Sequence, residues 1–152
     1  MTQQAMEAGR VIFDRSDLDQ VHGGSTAWDV MAYLTQQPVN TVLVLGASGN
    51  VGSMIAQIAV GRGLRVIGTG FDADLDYLDS LGVEPISCTE NLTEALSELA
   101  PTGVDAVADT AGSVELLREA LRLAPGPQRV VTCTALECVV EDGVQWAGRL
   151  NL

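Results

Sequence analysis

The chain has 152 residues, of which 47% are hydrophobic, and its mean hydropathy is +0.22. This composition predicts a single domain with a real hydrophobic core and argues against a disordered chain. The net charge of −12 argues against binding to nucleic acid backbones or anionic membranes, and the absence of lysine excludes a Walker-A lysine, a Schiff base and a Tyr-x-x-x-Lys pair.

Residues 1–24 are polar and acidic and lack a periodic pattern, so we expect a poorly ordered N-terminal arm with one short helical turn. No apolar run approaches the roughly 20 residues that span a bilayer, and no signal peptide is visible. The chain is therefore predicted to be cytoplasmic and without a membrane partner. Ser25 or Thr26 is expected to cap a helix that runs to about Gln36, and Pro38 prevents its continuation.

From residue 41 onward, apolar runs alternate with helical patterns. Strands are predicted at 41–45, 65–69, 84–88, 104–108 and 129–132, with a last strand or strand pair within 137–140 and 143–146. Helices are predicted from residue 50, and at 73–81, 91–100 and 113–123. This alternation predicts an α/β protein with a doubly wound parallel sheet of the Rossmann type, in strand order 3-2-1-4-5-6.

The turn between the first strand and the following helix is rich in glycine. Read as G-x-x-G-x-x-G, it is complete with Gly46, Gly49 and Gly52; read as G-x-G-x-x-G, its first position is Ala47. Such a turn lets main-chain N–H groups close on a pyrophosphate at a helix N-terminus. A tight strand-to-helix turn without a ligand is the alternative. We favour a nucleotide site, which makes residues 25–152 a dinucleotide-binding domain.

In a doubly wound sheet, ligands bind beyond the carboxyl ends of the strands, where the strand order reverses. Four loops are therefore expected to contribute cofactor contacts. The predicted cofactor-binding residues are Gly46, Ala47, Ser48, Gly49, Asn50, Val51, Gly52, Thr69, Gly70, Phe71, Asp72, Thr110, Ala111, Gly112, Thr132 and Cys133.

Asp72 stands about 20 residues beyond the glycines, the position of an acid that accepts hydrogen bonds from the adenosine ribose. It can equally serve as the N-cap of the next helix. Because the loop is acidic and offers no cation for a 2′-phosphate, NAD is favoured over NADP.

The sequence offers no catalytic constellation, so the catalytic residues stay unknown. His22 is interpreted as a surface residue, and nothing near Cys133 is expected to lower the pKa of its thiol. The three cysteines, Cys88, Cys133 and Cys138, form no C-x-x-C pair, so neither a metal site nor a disulfide framework is expected.

Six segments, taken together, resemble the nucleotide-binding domain of the medium-chain dehydrogenase/reductase superfamily, especially its zinc-free quinone oxidoreductase and enoyl reductase branch. They lie at residues 25–31, 42–52, 64–69, 77–83, 103–112 and 129–132. The resemblance implies an oxidoreductase that binds NAD or NADP and transfers hydride to a quinone, enone or carbonyl. It also implies a GroES-like catalytic domain, which this sequence lacks, so a separate substrate-domain protein is a candidate partner.

Two alternatives stay open. The chain can be a non-catalytic module, derived from such an enzyme, that binds a dinucleotide or a protein, or an atypical short-chain reductase-like redox sensor. An exposed sheet edge would also favour a homodimer.

Overall fold

The structure is a computed structural model that describes residues 5–7 and 10–148; the outer ends of the predicted arm and domain lie outside these residues. Near the N-terminus, β1 (Ala5–Glu7) and β2 (Arg10–Ile12) pair antiparallel. Helix α1 (Arg15–Asp19) begins with a capping box between Asp14 and Asp17. Helix α2 (Gly24–Leu34) is capped by Gly23, whose φ of 80° is left-handed, and not by Ser25 or Thr26 as predicted.

A six-stranded parallel sheet follows. Its strands are β3 (Thr41–Leu45), β4 (Arg65–Gly70), β5 (Glu84–Ser87), β6 (Ala106–Asp109), β7 (Val130–Thr132) and β8 (Gln145–Trp146). They lie in the order β5-β4-β3-β6-β7-β8. Counted from β3, this is the order 3-2-1-4-5-6, so the predicted doubly wound α/β fold is confirmed.

The connecting helices cover both faces of the sheet. They are α3 (Asn50–Gly61), α4 (Leu75–Ser80), α5 (Leu92–Leu99), α6 (Val114–Leu123) and α7 (Leu136–Asp142). Side chains of β3 alternate between two cores: Val42 and Val44 pack in one with α2 and α3, while Leu43 and Leu45 pack in the other with α5 and α6. Both faces are buried, which explains the continuous apolar run of this strand.

The prediction of a strand within 137–140 is wrong, because these residues lie in α7. The physical reason is that β7 and β8 run parallel and are neighbours. Parallel neighbours cannot be joined by a tight turn, and α7 supplies the crossover between them. The turn from α7 toward β8 passes through Gly143, whose φ is 75°.

The amino ends of the strands are held by two polar side chains. The Asp105 carboxylate accepts hydrogen bonds from the N–H groups of Asn40 and Thr41, both at 2.8 Å. The buried Arg129 guanidinium donates to the carbonyl oxygens of Asp105 at 3.2 Å and Leu34 at 3.3 Å. These bonds fix the amino ends of the strands, at the end of the sheet opposite to the glycine turn. Within the described residues, every helix is too short or too polar to cross a membrane.

Candidate functional site

The glycine turn joins β3 to α3, and its three glycines have different surroundings. Gly46 has a φ of +79°, and a Cβ on Gly52 would lie 2.0 Å from the Gly46 carbonyl oxygen. The fold itself therefore requires glycine at both positions. A Cβ on Gly49 would lie 3.4 Å from the same oxygen, an ordinary contact. Packing within the protein does not explain Gly49, which leaves open space outside the turn.

Main-chain N–H groups at this turn divide into two sets. The N–H groups of Gly46 and Ala47 donate to the hydroxyl and carbonyl oxygens of Thr69, at 2.9 and 2.8 Å. Within the described part of the chain, the N–H groups of Ser48, Asn50 and Val51 have no acceptor. They stand at the positive end of the α3 dipole, where an anion is stabilised. This arrangement fits a phosphate group.

A cavity of about 510 Å³ opens over the turn, between the carboxyl ends of β3, β4, β5 and β6. Eight predicted residues line it: Gly46, Ser48, Gly49, Thr69, Gly70, Phe71, Thr110 and Ala111. The other predicted residues do not line it: Ala47, Asn50, Val51, Gly52, Asp72, Gly112, Thr132 and Cys133. The cavity volume is within the range of small-molecule and cofactor sites.

Sequence reasoning missed one wall of this cavity. Ser113, Glu115, Leu116 and Glu119 of the α6 region line it, as does Cys88 after β5. The predicted strand order was enough to place Cys88, because the carboxyl end of β5 lies at the same edge of the sheet. No sequence pattern predicted that α6 side chains would line the cavity, because the angle at which a helix packs on the sheet depends on residues outside that helix.

Asp72 does not cap the following helix, so that alternative is wrong. A 3-10 turn (Asp72–Asp74) begins at this residue, and α4 starts after Asp74 without a side-chain cap bond. The Asp72 carboxylate instead accepts a hydrogen bond from the Ser87 hydroxyl at the end of β5. The Ser87 hydroxyl also contacts Thr89 Oγ1 at 2.7 Å. An acid is thus held beside the ends of β4 and β5.

Two predicted residues at the carboxyl end of β7 face the protein more than the cavity. Thr132 is completely buried, and its hydroxyl donates to Asp109 at 2.7 Å. Burial, assisted by the neighbouring Asp109 carboxylate, raises the pKa of the Cys133 thiol to about 11. The Cys133 side chain is therefore a neutral thiol at physiological pH and not an activated nucleophile.

Asn50 connects the site to the N-terminal region. Its side-chain amide donates to the carbonyl oxygen of His22 at 3.0 Å, which holds the turn before α2 against the start of α3. The His22 side chain itself is exposed.

The charge around the cavity is negative. Glu115 and Glu119 line it, and no arginine of the described residues does so. Arg65 instead pairs with Glu84, and Arg118 with Glu141 and Asp142. A phosphate in this cavity would therefore depend on main-chain N–H groups, without a cation at its side.

No three His, Cys, Asp or Glu side chains between residues 13 and 148 are grouped so that they could hold a metal ion. This part of the chain therefore does not fit a zinc centre.

Comparisons with known proteins bear on the family to which the chain belongs. Residues 50–141 match the zinc-binding dehydrogenase family. Prostaglandin reductase 1 from Oryctolagus cuniculus is 35% identical over 108 residues, which are 68% of this chain and 31% of that protein. An alcohol dehydrogenase superfamily protein from Novosphingobium aromaticivorans has a TM-score of 0.66 at 30% identity, over 84% of this chain and 40% of its own.

CurA from Vibrio vulnificus, solved in complex with NADPH, has a TM-score of 0.64 at 21% identity, over 82% of this chain and 44% of its own, and this likeness shows the fold. The fold and the turn are those of a doubly wound nucleotide-binding domain. The chain belongs to the zinc-binding dehydrogenase family of the medium-chain dehydrogenase/reductase superfamily, and corresponds to its C-terminal nucleotide-binding part. It matches less than a third of the length of the curated relative described above.

Proposed function

We propose that this chain is the nicotinamide-dinucleotide-binding domain of an oxidoreductase that reduces a quinone, enone or other carbonyl compound by hydride transfer. One observation carries the proposal: unpartnered N–H groups at the start of α3 lie beside a cavity at the strand ends. Bound there, the dinucleotide would supply the hydride. The protein would contribute main-chain donors from Ser48, Asn50 and Val51 for the diphosphate.

We further propose that the domain prefers NAD(H) over NADP(H). The Asp72 carboxylate is held in place by Ser87 beside the end of β4, where the adenosine ribose is bound in doubly wound folds. A 2′-phosphate at this point would meet the negative charge of Asp72, and none of the arginines between residues 10 and 148 lines the cavity. Ribose hydroxyls, by contrast, can donate to the carboxylate.

Calorimetric titration with NADH and NADPH tests both proposals. We expect NADH to bind more tightly than NADPH. Asp72→Arg should raise the affinity for NADPH about tenfold, because an arginine–phosphate pair replaces a repulsion, and should lower the affinity for NADH. Asp76→Arg is the matched control, since it makes the same charge change on exposed α4 and should leave the preference unaltered. If neither dinucleotide binds at millimolar concentration, the proposed function is wrong.

A second candidate is a module that binds the dinucleotide without catalysing a reaction. It is favoured by the absence of a nucleophile–base pair among the residues that form the site, and by the high pKa of Cys133. Following the absorbance of the reduced nicotinamide in the presence of quinones and enones separates the two. Turnover by the chain alone favours an enzyme. Turnover only after addition of a second protein favours a separate substrate-domain partner.

A further inference from the structure

A buried carboxylate lies at the end of β6, and it is not among the groups proposed to bind the diphosphate. Asp109 is the last residue of this strand and is 1% exposed. Its Oδ2 atom accepts hydrogen bonds from the hydroxyls of Thr132 at 2.7 Å and Thr134 at 2.9 Å. Its Oδ1 atom accepts from the N–H of Ala111 at 3.1 Å. One carboxylate thus joins the loop after β6 to the loop after β7.

The bonds continue through the loop after β7. The Thr132 hydroxyl oxygen also accepts from the N–H groups of Thr134 at 3.1 Å and Ala135 at 3.0 Å. The Thr132 oxygen thus accepts two hydrogen bonds, and its own O–H donates to the Asp109 carboxylate. The Cys133 N–H donates to the Asp109 carbonyl oxygen at 3.0 Å. The conformation of residues 132–135 therefore depends on Asp109.

The two loops joined by Asp109 lie on the side of the site where the nicotinamide half of a dinucleotide is expected. The acid beside the end of β4 marks the adenosine side of a doubly wound site, so the other half of a dinucleotide runs toward β6 and β7. The loops joined by Asp109 lie on that side of the glycine turn. Thr110 and Ala111, in the first of these loops, line the cavity.

We propose that Asp109 is a positioning residue for the nicotinamide half of the bound dinucleotide. Its carboxylate holds the loops after β6 and β7 at a fixed separation, so that the nicotinamide side of the site is formed before the ligand arrives. This inference depends on the proposed function, because it assumes that the site binds a dinucleotide.

An amide cannot replace this carboxylate. With asparagine at position 109, an NH₂ group must face either the two threonine hydroxyls or the N–H of Ala111. In each orientation a donor meets a donor, and one buried hydrogen bond is lost.

The test compares the affinities for NADH and for ADP-ribose, which lacks the nicotinamide, by calorimetry, with the thermal midpoint of each variant measured in parallel. Asp109→Asn should weaken NADH binding about tenfold and ADP-ribose binding less than about threefold. Asp105→Asn is the matched control: the Asp105 carboxylate likewise accepts hydrogen bonds, from the N–H groups of Asn40 and Thr41, but it precedes β6 at the amino ends of the strands. It should lower the thermal midpoint without changing either affinity.

If Asp109→Asn does not fold, a less disruptive pair of variants at Thr134 tests the same role. Thr134 is exposed, so Thr134→Val removes one bond to Asp109 with little effect on the core. It should weaken NADH binding about threefold, and Thr134→Ser, which keeps the hydroxyl, should recover most of that loss.

The outcomes separate the two proposals. If the unaltered chain binds neither NADH nor ADP-ribose, the proposed function is wrong and this inference with it. If it binds both, and the folded Asp109 or Thr134→Val variants leave NADH affinity unchanged or weaken both ligands by the same factor, only the positioning role is overturned.

Discussion

Gly49 and Gly52 belong to the same turn, yet the absence of a side chain does different things at the two positions. At Gly52 the neighbouring Gly46 carbonyl oxygen would be 2.0 Å from a Cβ, so the protein's own backbone occupies the space. At Gly49 the φ of −78° is open to any residue, and a Cβ would meet only an ordinary contact at 3.4 Å. The first glycine serves the fold, and the second leaves room for a ligand.

Alanine substitutions should separate these two roles. Gly52→Ala should lower the free energy of unfolding by about 3 kcal/mol, because backbone atoms must move apart. Gly49→Ala should change it by less than about 0.5 kcal/mol. It should nevertheless weaken NADH binding about tenfold, since the methyl group would stand where the diphosphate is proposed to approach. Chemical denaturation and calorimetric titration measure the two effects. Unchanged NADH affinity in Gly49→Ala would show that no ligand group approaches there.

At the scale of the element, the N-terminal end of α6 links helix stability to the shape of the site. The Ser113 hydroxyl caps α6 by accepting the N–H of Leu116 at 3.2 Å. Both residues line the cavity. Asn91 caps α5 in the same way, accepting the N–H of Glu94 at 2.9 Å, but it does not line this cavity.

The two caps provide a matched comparison. Ser113→Ala and Asn91→Ala should each lower the free energy of unfolding by about 1 kcal/mol, because each leaves a helix N–H group without its side-chain acceptor. Fraying of α6 should also weaken NADH binding about threefold, whereas fraying of α5 should not. Denaturation curves and NADH titrations measure both quantities. An equal loss of affinity in the two variants would mean that general loosening, and not the α6 wall, governs binding.

At the scale of the whole molecule, the net charge of −12 opposes the binding of an anionic dinucleotide. No arginine in the described part of the chain lines the site to offset this charge, and two glutamates stand in its wall. Long-range repulsion of this kind is screened by salt, since the Debye length falls to about 8 Å at 0.15 M ionic strength.

Salt should therefore strengthen binding, which is the opposite of the behaviour of a nucleic-acid-binding protein. Raising the ionic strength from about 0.01 M to about 0.15 M should increase NADH affinity roughly threefold, and NADPH affinity by more because of its additional charge. Titrations across this range at constant pH measure the effect. Weaker NADH binding at high salt would indicate that local positive potential at the start of α3 outweighs the net charge.

The fold was largely predictable from the sequence, because its signals are local. The apolar run at 41–45, the glycine spacing and the helical pattern after Asn50 each involve residues that are neighbours in the chain. Helix boundaries were less accurate, as at α2, where a left-handed Gly23 replaces the predicted serine or threonine cap. The strand predicted within 137–140 is α7, because the parallel pairing of β7 and β8 requires a crossover there.

The candidate site was predictable only in part. The turn and the loops after β4 and β6 were identified because each follows an apolar strand directly. The α6 wall was missed, and Thr132 turned out to be buried against Asp109, 23 residues away in the chain. No local sequence pattern predicts which residues, far apart in the chain, will contact each other in this way.

The sequence by itself determined the glycine turn and the order of the sheet, since glycine sterics and apolar periodicity operate over a few consecutive residues. Only the tertiary structure decided which side chains surround that turn. It placed Asp72 on Ser87, Asp109 between two threonines, and Glu115 and Glu119 in the cavity wall. These contacts join residues far apart in the chain, and their geometry exists only after strands and helices have packed.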